Sequence, residues 1–168
     1  CVLRPTLMYS WFDPKHFGWL ARFMERVPVF PIPGNGRFMR QPLYERDFCR
    51  ALVWCIRNQP AGQVYDLVGD ERVDYVEVIR AIRRAKGLKT PLVHIPILLF
   101  SAMLKVAAWF TDKPPFTADQ LKALTAGDDF SGVDLKQTFG FERTPLEQGV
   151  RETFQHPQYA GLAIERAD

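Results

Sequence analysis

Two glycines and an arginine form the part of this sequence that is best suited to binding an anion. Gly34 and Gly36 come shortly before Arg40. Glycine allows the backbone to turn tightly and to approach a ligand closely, and the planar guanidinium group presents a fork of donors that fits two phosphate oxygens. The pattern therefore indicates contact with a phosphate or diphosphate group. The alternative is a surface arginine that pairs with Glu45 or Asp47.

The remaining polar residues form no pattern typical of catalysis or metal binding. We expect surface or interface positions for the histidines and a solvated turn for two adjacent aspartates, which are His16, His94, His156, Asp128 and Asp129. No nucleophile stands in a recognisable relation to a base. The three cysteines have no metal-ligand spacing, which predicts reduced thiols and a cytoplasmic location.

The composition argues against a nucleic-acid partner. The 168 residues are 47% hydrophobic and 24% charged, which is typical of a soluble globular domain with a sizeable core. The net charge is only +3, and the 22 basic residues are scattered among 19 acidic ones. Proteins that bind nucleic acid concentrate positive charge on one surface, so we predict no such partner.

Strand and helix patterns alternate along the first part of the chain and predict an α/β sheet. The predicted elements are a strand at Val2–Pro5, a helix at Phe17–Val27, a strand at Gln41–Tyr44, a helix from an Asp47 N-cap to Asn58, a strand at Gln63–Val68 and a helix from Asp74 to Gly87. Pro28–Gly36 is predicted to be an extended loop. Leu52 and Ile56 are predicted to point inward. We expect two units, residues 1–90 and a helical unit at 91–168.

The most apolar segment is Pro96–Thr111, which is interrupted by Lys105. Its 16 residues fall short of the roughly 20 that a membrane-spanning helix requires. We therefore expect a helix buried in the second unit. The alternative is a helix that contacts a membrane surface or a protein partner.

Two motifs carry a resemblance to a known family. The segment GNGRFMRQPLYERD follows the pattern G-[DN]-G-x-x-x-R-D-F-[VI]-[HY]-V-x-D at Gly34, Asn35, Gly36, Arg40, Tyr44 and Asp47. The segment LRPTLMYS follows R-P-T-x-x-Y-G, with Ser10 in place of the glycine. These patterns resemble the extended (atypical) short-chain dehydrogenase/reductase proteins of the NAD-dependent epimerase/dehydratase family. The segments PPFTADQLKAL and FGFERTPLEQGVRETFQHPQYAG are similar to relatives of the accessory subunit of respiratory complex I that has this fold, which include nucleoside-diphosphate-sugar epimerases.

The resemblance implies both a fold and a set of site residues. The fold would be the carboxy-terminal part of a Rossmann-like doubly wound parallel sheet plus a mainly helical substrate-binding cap. Pro5 and Thr6 would face the nicotinamide of NAD or NADP, and Gly34–Gly36 and Arg40 would bind a nucleotide-sugar-like substrate. Leu7 stands where many members have an asparagine that contacts the sugar, so its substrate contact would be apolar.

The catalytic motifs of the family are missing from this sequence. It contains no G-x-x-G-x-x-G phosphate loop and no Y-x-x-x-K pair, and it begins at Cys1 directly before an apolar strand. We therefore expect the inactive carboxy-terminal half of an NAD(P)-dependent epimerase/dehydratase. The alternative is a non-catalytic nucleotide-binding scaffold or assembly protein. Loss of the neighbouring strands would expose an apolar strand edge, which predicts a homo-oligomer.

Overall fold

Short strands alternate with helices along the chain. The computed structural model describes residues 1–10, 13, 16–69, 72–110 and 118–158. The elements are β1 (Val2–Pro5), β2 (Met8–Tyr9), α1 (Phe17–Arg26), β3 (Phe30–Pro33), β4 (Met39–Arg40), β5 (Leu43–Tyr44), α2 (Glu45–Asn58), β6 (Val64–Leu67), β7 (Val73–Asp74), α3 (Tyr75–Ala85), β8 (Leu92–Ile95), α4 (Ile97–Phe110), α5 (Ala118–Ala126), α6 (Leu135–Phe139) and α7 (Leu146–Gln155).

Parallel strand pairs form the sheet portion of the described chain. β1 pairs with β6 in a register that runs from Val2 opposite Val64 to Pro5 opposite Leu67. β2 pairs with β5 and β3 pairs with β8, both also in parallel, whereas β4 and β7 are antiparallel. Parallel pairs connected through helices are typical of α/β proteins. The predicted fold class is therefore confirmed.

The start of α2 corrects the sequence-based prediction. Asp47 was expected to be the N-cap, but the helix begins at Glu45 and Asp47 lies in its first turn. The Asp47 side chain is only 2% exposed. Its carboxylate accepts hydrogen bonds from the backbone N (2.7 Å) and the Oγ1 (2.9 Å) of Thr144. The N-cap prediction is wrong because this carboxylate holds the segment before α7 and not the amides of its own helix.

The buried side of α2 is narrower than the apolar pattern indicates. Asp47, Ala51 and Cys55 are buried and follow each other at intervals of four residues, which places them along one line on the helix. Leu52 and Ile56 are 43% and 65% exposed. The prediction that these two side chains point inward is therefore wrong.

β3 forms in a segment that was predicted to be a loop because of its prolines. Parallel pairing with β8 uses the amides on either side of those prolines: Phe30 N donates to Pro91 O at 2.9 Å, and Gly34 N donates to Ile95 O at 2.7 Å. Pro31 has no amide hydrogen to donate, but neither of these two hydrogen bonds needs one from it. The loop prediction is wrong for β3.

α3 and α7 pack against each other around a large buried cluster. Tyr9 stacks on Tyr44 with ring centroids 5.4 Å apart, and Ile82 of α3 and Val150 of α7 are fully buried in the same cluster. Burial of such side chains is the main stabilising term for the fold. These contacts join residues before and after position 90. The predicted division of the chain into two units at that point stays a prediction.

α4 follows β8 and is apolar, but its described side chains are not buried. Leu98 is 87% exposed, and Met103 and Val106 are 51% and 55% exposed. The prediction of a buried helix is wrong for these side chains, and Thr111, its predicted last residue, lies outside the described residues. Within the described chain, no helix is long and apolar enough to cross a membrane.

Candidate functional site

The carboxyl end of β1 is attached to the segment that follows β4. Thr6 N donates to Leu67 O at 3.0 Å, and Thr6 Oγ1 donates to Gln41 O at 3.0 Å. Leu43 N donates to Leu7 O at 2.9 Å. These bonds use the donors of Thr6, while the Leu7 side chain stays 38% exposed. The predicted cofactor-contacting residues thus lie directly beside the predicted substrate-contacting segment.

Arg40 is held by acceptors that are far away in the sequence. Its Nη1 donates to Asp128 Oδ2 at 2.7 Å and its Nη2 donates to Leu124 O at 2.7 Å. The Arg40 side chain is 17% exposed and that of Asp128 is 21% exposed. The alternative interpretation, in which Arg40 pairs with Glu45 or Asp47, is wrong. The expectation of a solvated turn at Asp128 is also wrong, because its carboxylate forms this half-buried ion pair.

Gln41 is a site residue that the sequence reasoning missed. It is 5% exposed, and its side-chain amide binds the backbone of Phe130 in both directions. Gln41 Nε2 donates to Phe130 O at 3.2 Å, and Phe130 N donates to Gln41 Oε1 at 2.7 Å. A buried amide that is satisfied in this way fixes the position of its partner. The sequence signal was a single amide side chain between Arg40 and Pro42, with nothing nearby to indicate its partner.

These contacts gather one group of residues at the carboxyl end of the parallel pair β1–β6. We call this group the strand-end site; it consists of Thr6, Leu7, Arg40, Gln41, Asp128 and Phe130. Ligands of open α/β sheets bind at the carboxyl ends of the strands. The strand-end site therefore lies where the fold places ligands.

A polar cavity of about 430 Å³ adjoins the strand-end site. Its lining includes Gln41 and Phe130 and also Val68 and Gly69, which follow directly after β6. A cavity of this size is within the range of small-molecule sites. A smaller cavity, of about 140 Å³, shares Gly69 with it and lies against Asp47.

Three cationic side chains line the larger cavity, and each has an internal partner. Arg72 Nη2 donates to Asp129 at 2.9 Å, and Arg143 Nη2 donates to Val133 O at 2.7 Å. Lys136 pairs with Glu142. The hydrogen bond and the charge of Glu142 raise the pKa of Lys136, so this amine stays protonated. The lining also contains Asp134 and Glu142, so the cavity presents charges of both signs.

The Gly34–Gly36 turn lies on another part of the structure and contacts α3, β8 and α4. Both glycines have positive φ values, +57° and +69°. A Cβ on Gly36 would lie 2.7 Å from Ile32 Cγ2, so packing requires glycine there. Asn35 is exposed, and its Oδ1 accepts from Arg37 N at 2.9 Å. These contacts account for the Gly-Asn-Gly motif as a turn.

Tyr75 is a second titratable neighbour of Arg40, besides Asp128. Its backbone N donates to Phe38 O at 2.9 Å, directly after the glycine turn. Burial raises the pKa of the Tyr75 phenol, against the opposing charge of Arg40. The phenol therefore stays neutral at physiological pH and adds no negative charge near Arg40.

The strand end fits the ring of a dinucleotide better than its phosphates. Pro5 is exposed and has no amide donor, and both donors of Thr6 are already used. The exposed Leu7 adds an apolar side chain beside them. These residues fit contact with a planar nicotinamide, while the sequence holds no glycine-rich loop for the pyrophosphate.

Comparison with known proteins finds a likeness of fold and not of sequence. No protein-family model matches the chain, and no curated protein matches it. A UDP-glucose 4-epimerase from Thermotoga maritima, solved with UDP-glucose, is 19% identical with a TM-score of 0.60. That comparison covers 90% of this chain and 43% of the epimerase.

Two enzymes from Bacillus anthracis give similar results. A dTDP-4-dehydrorhamnose reductase in complex with NADP is 12% identical with a TM-score of 0.61, over 92% of this chain and 47% of the reductase. A dTDP-glucose 4,6-dehydratase in complex with NAD is 20% identical with a TM-score of 0.57, over 90% of this chain and 42% of the dehydratase. The chain therefore has the Rossmann-like α/β fold of these structures and spans less than half of their length.

Proposed function

We propose that this chain is the substrate-binding half of an NAD(P)-dependent epimerase, dehydratase or reductase that acts on a nucleotide-sugar-like substrate. The observation that carries the proposal is the Thr6–Gln41 hydrogen bond of 3.0 Å. It joins the end of β1 to the Arg40 segment beside the polar cavity. One ligand could therefore contact the strand end and the arginine segment together. The solved neighbours bound to UDP-glucose, NADP and NAD support the same class of function.

Each part of the strand-end site has a role in this proposal. Pro5 and Thr6 contact the nicotinamide side of NAD or NADP, which when bound takes and returns hydride. Leu7 makes an apolar contact with the substrate. The Gly34–Gly36 turn lies outside the strand-end site and directly before β4, so in this proposal it positions Arg40 and does not line the cavity. The chain by itself is inactive, since the catalytic tyrosine and lysine of the family pattern are not in its sequence. We place this function in the cytoplasm.

Arg40 binds the phosphates of the substrate in competition with Asp128. A phosphate oxygen and the Asp128 carboxylate both accept from the guanidinium group, so phosphate binding would replace or share the 2.7 Å contact. Removing the Asp128 charge should then leave phosphate binding unchanged or make it tighter. Removing Arg40 should weaken it.

The test is calorimetric titration of UDP-glucose into the longer protein that contains this chain. We expect Arg40→Ala to weaken binding at least about tenfold, or ~1.4 kcal/mol, and Asp128→Asn to leave it unchanged or tighter. Arg46→Ala is the matched control, since Arg46 is exposed and pairs with Glu152. Unchanged affinity for Arg40→Ala, or an equal loss in Asp128→Asn, would show that Arg40 only holds the loop at residues 123–130.

A second candidate is a non-catalytic nucleotide-binding scaffold. The observation that favours it is Leu7, whose exposed side chain cannot hydrogen-bond a sugar. Conversion of any sugar nucleotide into a new product by the longer protein, measured by chromatography, supports the enzyme. Binding of nucleotide without such conversion supports the scaffold.

We also propose that the chain forms a homo-oligomer through a strand edge. Val2 of β1 and Val64 of β6 are 52% and 51% exposed, and β1 and β6 pair only with each other among the described residues. An open apolar edge is a template for pairing with another chain. Sedimentation velocity should show a dimer or larger species, and a monomer would contradict the proposal.

A further inference from the structure

The exposed side of α4 is a large apolar surface that the proposed function does not use. We call it the α4 surface; it consists of Ile97, Leu98, Leu99, Ala102, Met103 and Val106. All six residues are exposed, with Leu98 at 87% and Leu99 at 54%. Contiguous exposed apolar residues of this kind mark sites of interaction with a protein or a membrane.

The opposite side of the helix is the one that faces the protein. Phe100, Ser101 and Leu104 are half-buried, and α4 contacts α5. Ile97 lies at the border of the two sides, since it is 40% exposed and a Cβ on Gly34 would lie 3.1 Å from its Cγ1. α4 therefore packs against the protein with its inner side and presents a second apolar side to solvent. A helix that is apolar on both sides is normally covered on both.

The sequence from α3 to the end of α4 carries mainly positive charge, while α5 adds the exposed Asp119. From Val78 to Phe110 there are six Lys or Arg residues and no Asp or Glu. Three of the six pair with carboxylates elsewhere in the chain, namely Arg80 with Glu77, Arg84 with Glu147 and Lys86 with Glu25.

Two exposed lysines remain without a carboxylate partner in the described part of the chain. Lys105 lies on the exposed side of α4, seven residues after Leu98, and Lys89 precedes β8. Arg37, also exposed, belongs to the glycine turn that contacts the start of α4. Unpaired positive charges therefore accompany the apolar side chains of the α4 surface.

We propose that the α4 surface binds the surface of an anionic phospholipid bilayer. Its apolar side chains would enter the acyl boundary while the lysines contact the phosphate headgroups. The 14 residues of α4 extend about 21 Å, less than the roughly 30 Å of a hydrocarbon core, so α4 lies on the bilayer. A second copy of this chain is a poorer occupant, because like positive charges would face each other across the interface.

Vesicle co-sedimentation of the 168-residue chain tests this proposal independently of the proposed enzymatic role. We expect the chain to sediment with mixed phosphatidylcholine–phosphatidylglycerol vesicles and much less with phosphatidylcholine alone, and added salt should weaken the binding. The double variant Leu98→Gln/Met103→Gln should bind about tenfold more weakly. Lys89→Glu/Lys105→Glu should lose a similar factor on the anionic vesicles only.

Ile56→Gln is the matched control, because Ile56 is 65% exposed on α2 and lies outside the α4 surface. It should bind vesicles like the unchanged chain. Circular dichroism establishes that each variant is folded. The proposal is overturned if the unchanged chain does not sediment with anionic vesicles, or if the α4 double variant sediments as well as Ile56→Gln. It is also overturned if the α4 variant only converts a dimer to a monomer, which would make a second copy the occupant.

Discussion

The strand-end site and the α4 surface differ in how their side chains are satisfied. In the strand-end site, Arg40 and Gln41 each bind acceptors or donors more than 80 positions away, at distances from 2.7 to 3.2 Å. On the α4 surface, Leu98 and its neighbours are apolar and exposed. Arg40 and Gln41 of the strand-end site therefore have hydrogen-bond partners within the chain, whereas the α4 surface exposes apolar side chains that water solvates poorly.

The difference shows what each kind of residue reveals about function. A buried polar group must find a partner within the fold, so the contacts of Arg40 describe how the loop at 123–130 is held before any ligand binds. An exposed apolar group has no such requirement and indicates something outside the chain. Arg40 therefore needs a competition experiment to show ligand binding, while α4 needs a binding experiment.

The largest expected effect comes from closing the space between Gly69 and Pro42. A Cβ on Gly69 would lie 2.2 Å from Pro42 O and 2.6 Å from Pro42 C, so the backbone beside Gln41 must shift. We expect Gly69→Ala to lower the free energy of unfolding by about 3 kcal/mol or more, measured by urea denaturation. Gly62→Ala is the control, since a Cβ there meets nothing within 4 Å and its positive φ costs only about 1 kcal/mol. Equal effects of the two changes would contradict the close contact.

The next largest effect concerns the side-chain amide of Gln41. Gln41→Leu keeps the approximate volume but leaves Phe130 N and Phe130 O without their partner, which should lower the free energy of unfolding by about 2 kcal/mol. Gln155→Leu removes a comparable bond, from Nε2 to Ala85 O, at an exposed position and should cost roughly 0.5 kcal/mol. If urea denaturation shows the same loss of unfolding free energy for both variants, the Gln41 side chain does not stabilise the fold through the backbone of Phe130.

A smaller effect is expected from the partly exposed contacts of Glu152. Burial by itself raises the pKa of this carboxyl, but hydrogen bonds from Gln148 and Tyr44 and the charge of Arg46 outweigh burial, so the pKa lies below its ordinary value of 4.5. A lowered pKa in the folded state stabilises the protein above pH 4.5, and that contribution disappears as the pH falls through the folded pKa. In the unchanged protein, this contribution of Glu152 should amount to about 0.5 kcal/mol of unfolding free energy that is lost on acidification. The Glu152→Gln variant should lack this part of the loss. Parallel acid titrations of the two proteins check this, and identical pH profiles would contradict it.

The smallest effect on folding is expected on the α4 surface. Because Leu98 is 87% exposed, Leu98→Gln should change the free energy of unfolding by no more than about 0.5 kcal/mol. Ile82→Ala, at a side chain that is fully buried, should cost about 3 kcal/mol in the same urea experiment. A large loss in Leu98→Gln would mean that this side chain is covered within the folded chain.

Local apolar patterns predicted the bounds of the first strand and of the first helix. The strand Val2–Pro5 has its predicted bounds, and α1 differs from its prediction by one residue. β3 could not be predicted in this way, because its prolines signal a loop and its partner β8 lies about 60 residues later. Pairing over such distances is decided by tertiary contacts and not by local propensity.

The motifs singled out Thr6, Leu7 and Arg40 by residue type but not by partner, and the roles of these residues in binding stay predictions. The motif drew attention to Arg40 and the strand end at Thr6, and the structure brings these two segments together. Nothing in the sequence linked Arg40 to Asp128 or Gln41 to Phe130. The apolar pattern of α4 fits a helix buried in the chain and a helix that contacts an external surface equally well. Only the exposure of its side chains in the structure distinguishes these two interpretations.

Hydrogen–deuterium exchange of the longer protein that contains this chain, with and without UDP-glucose, tests the central claim most directly. If the strand-end site binds the nucleotide sugar, exchange should slow at residues 39–43 and 124–132, since ligand contacts with Arg40 and the cavity would stabilise both segments. The amides of α4 should not change. Exchange that is unchanged in those two segments at saturating UDP-glucose would contradict a substrate-binding role for this half.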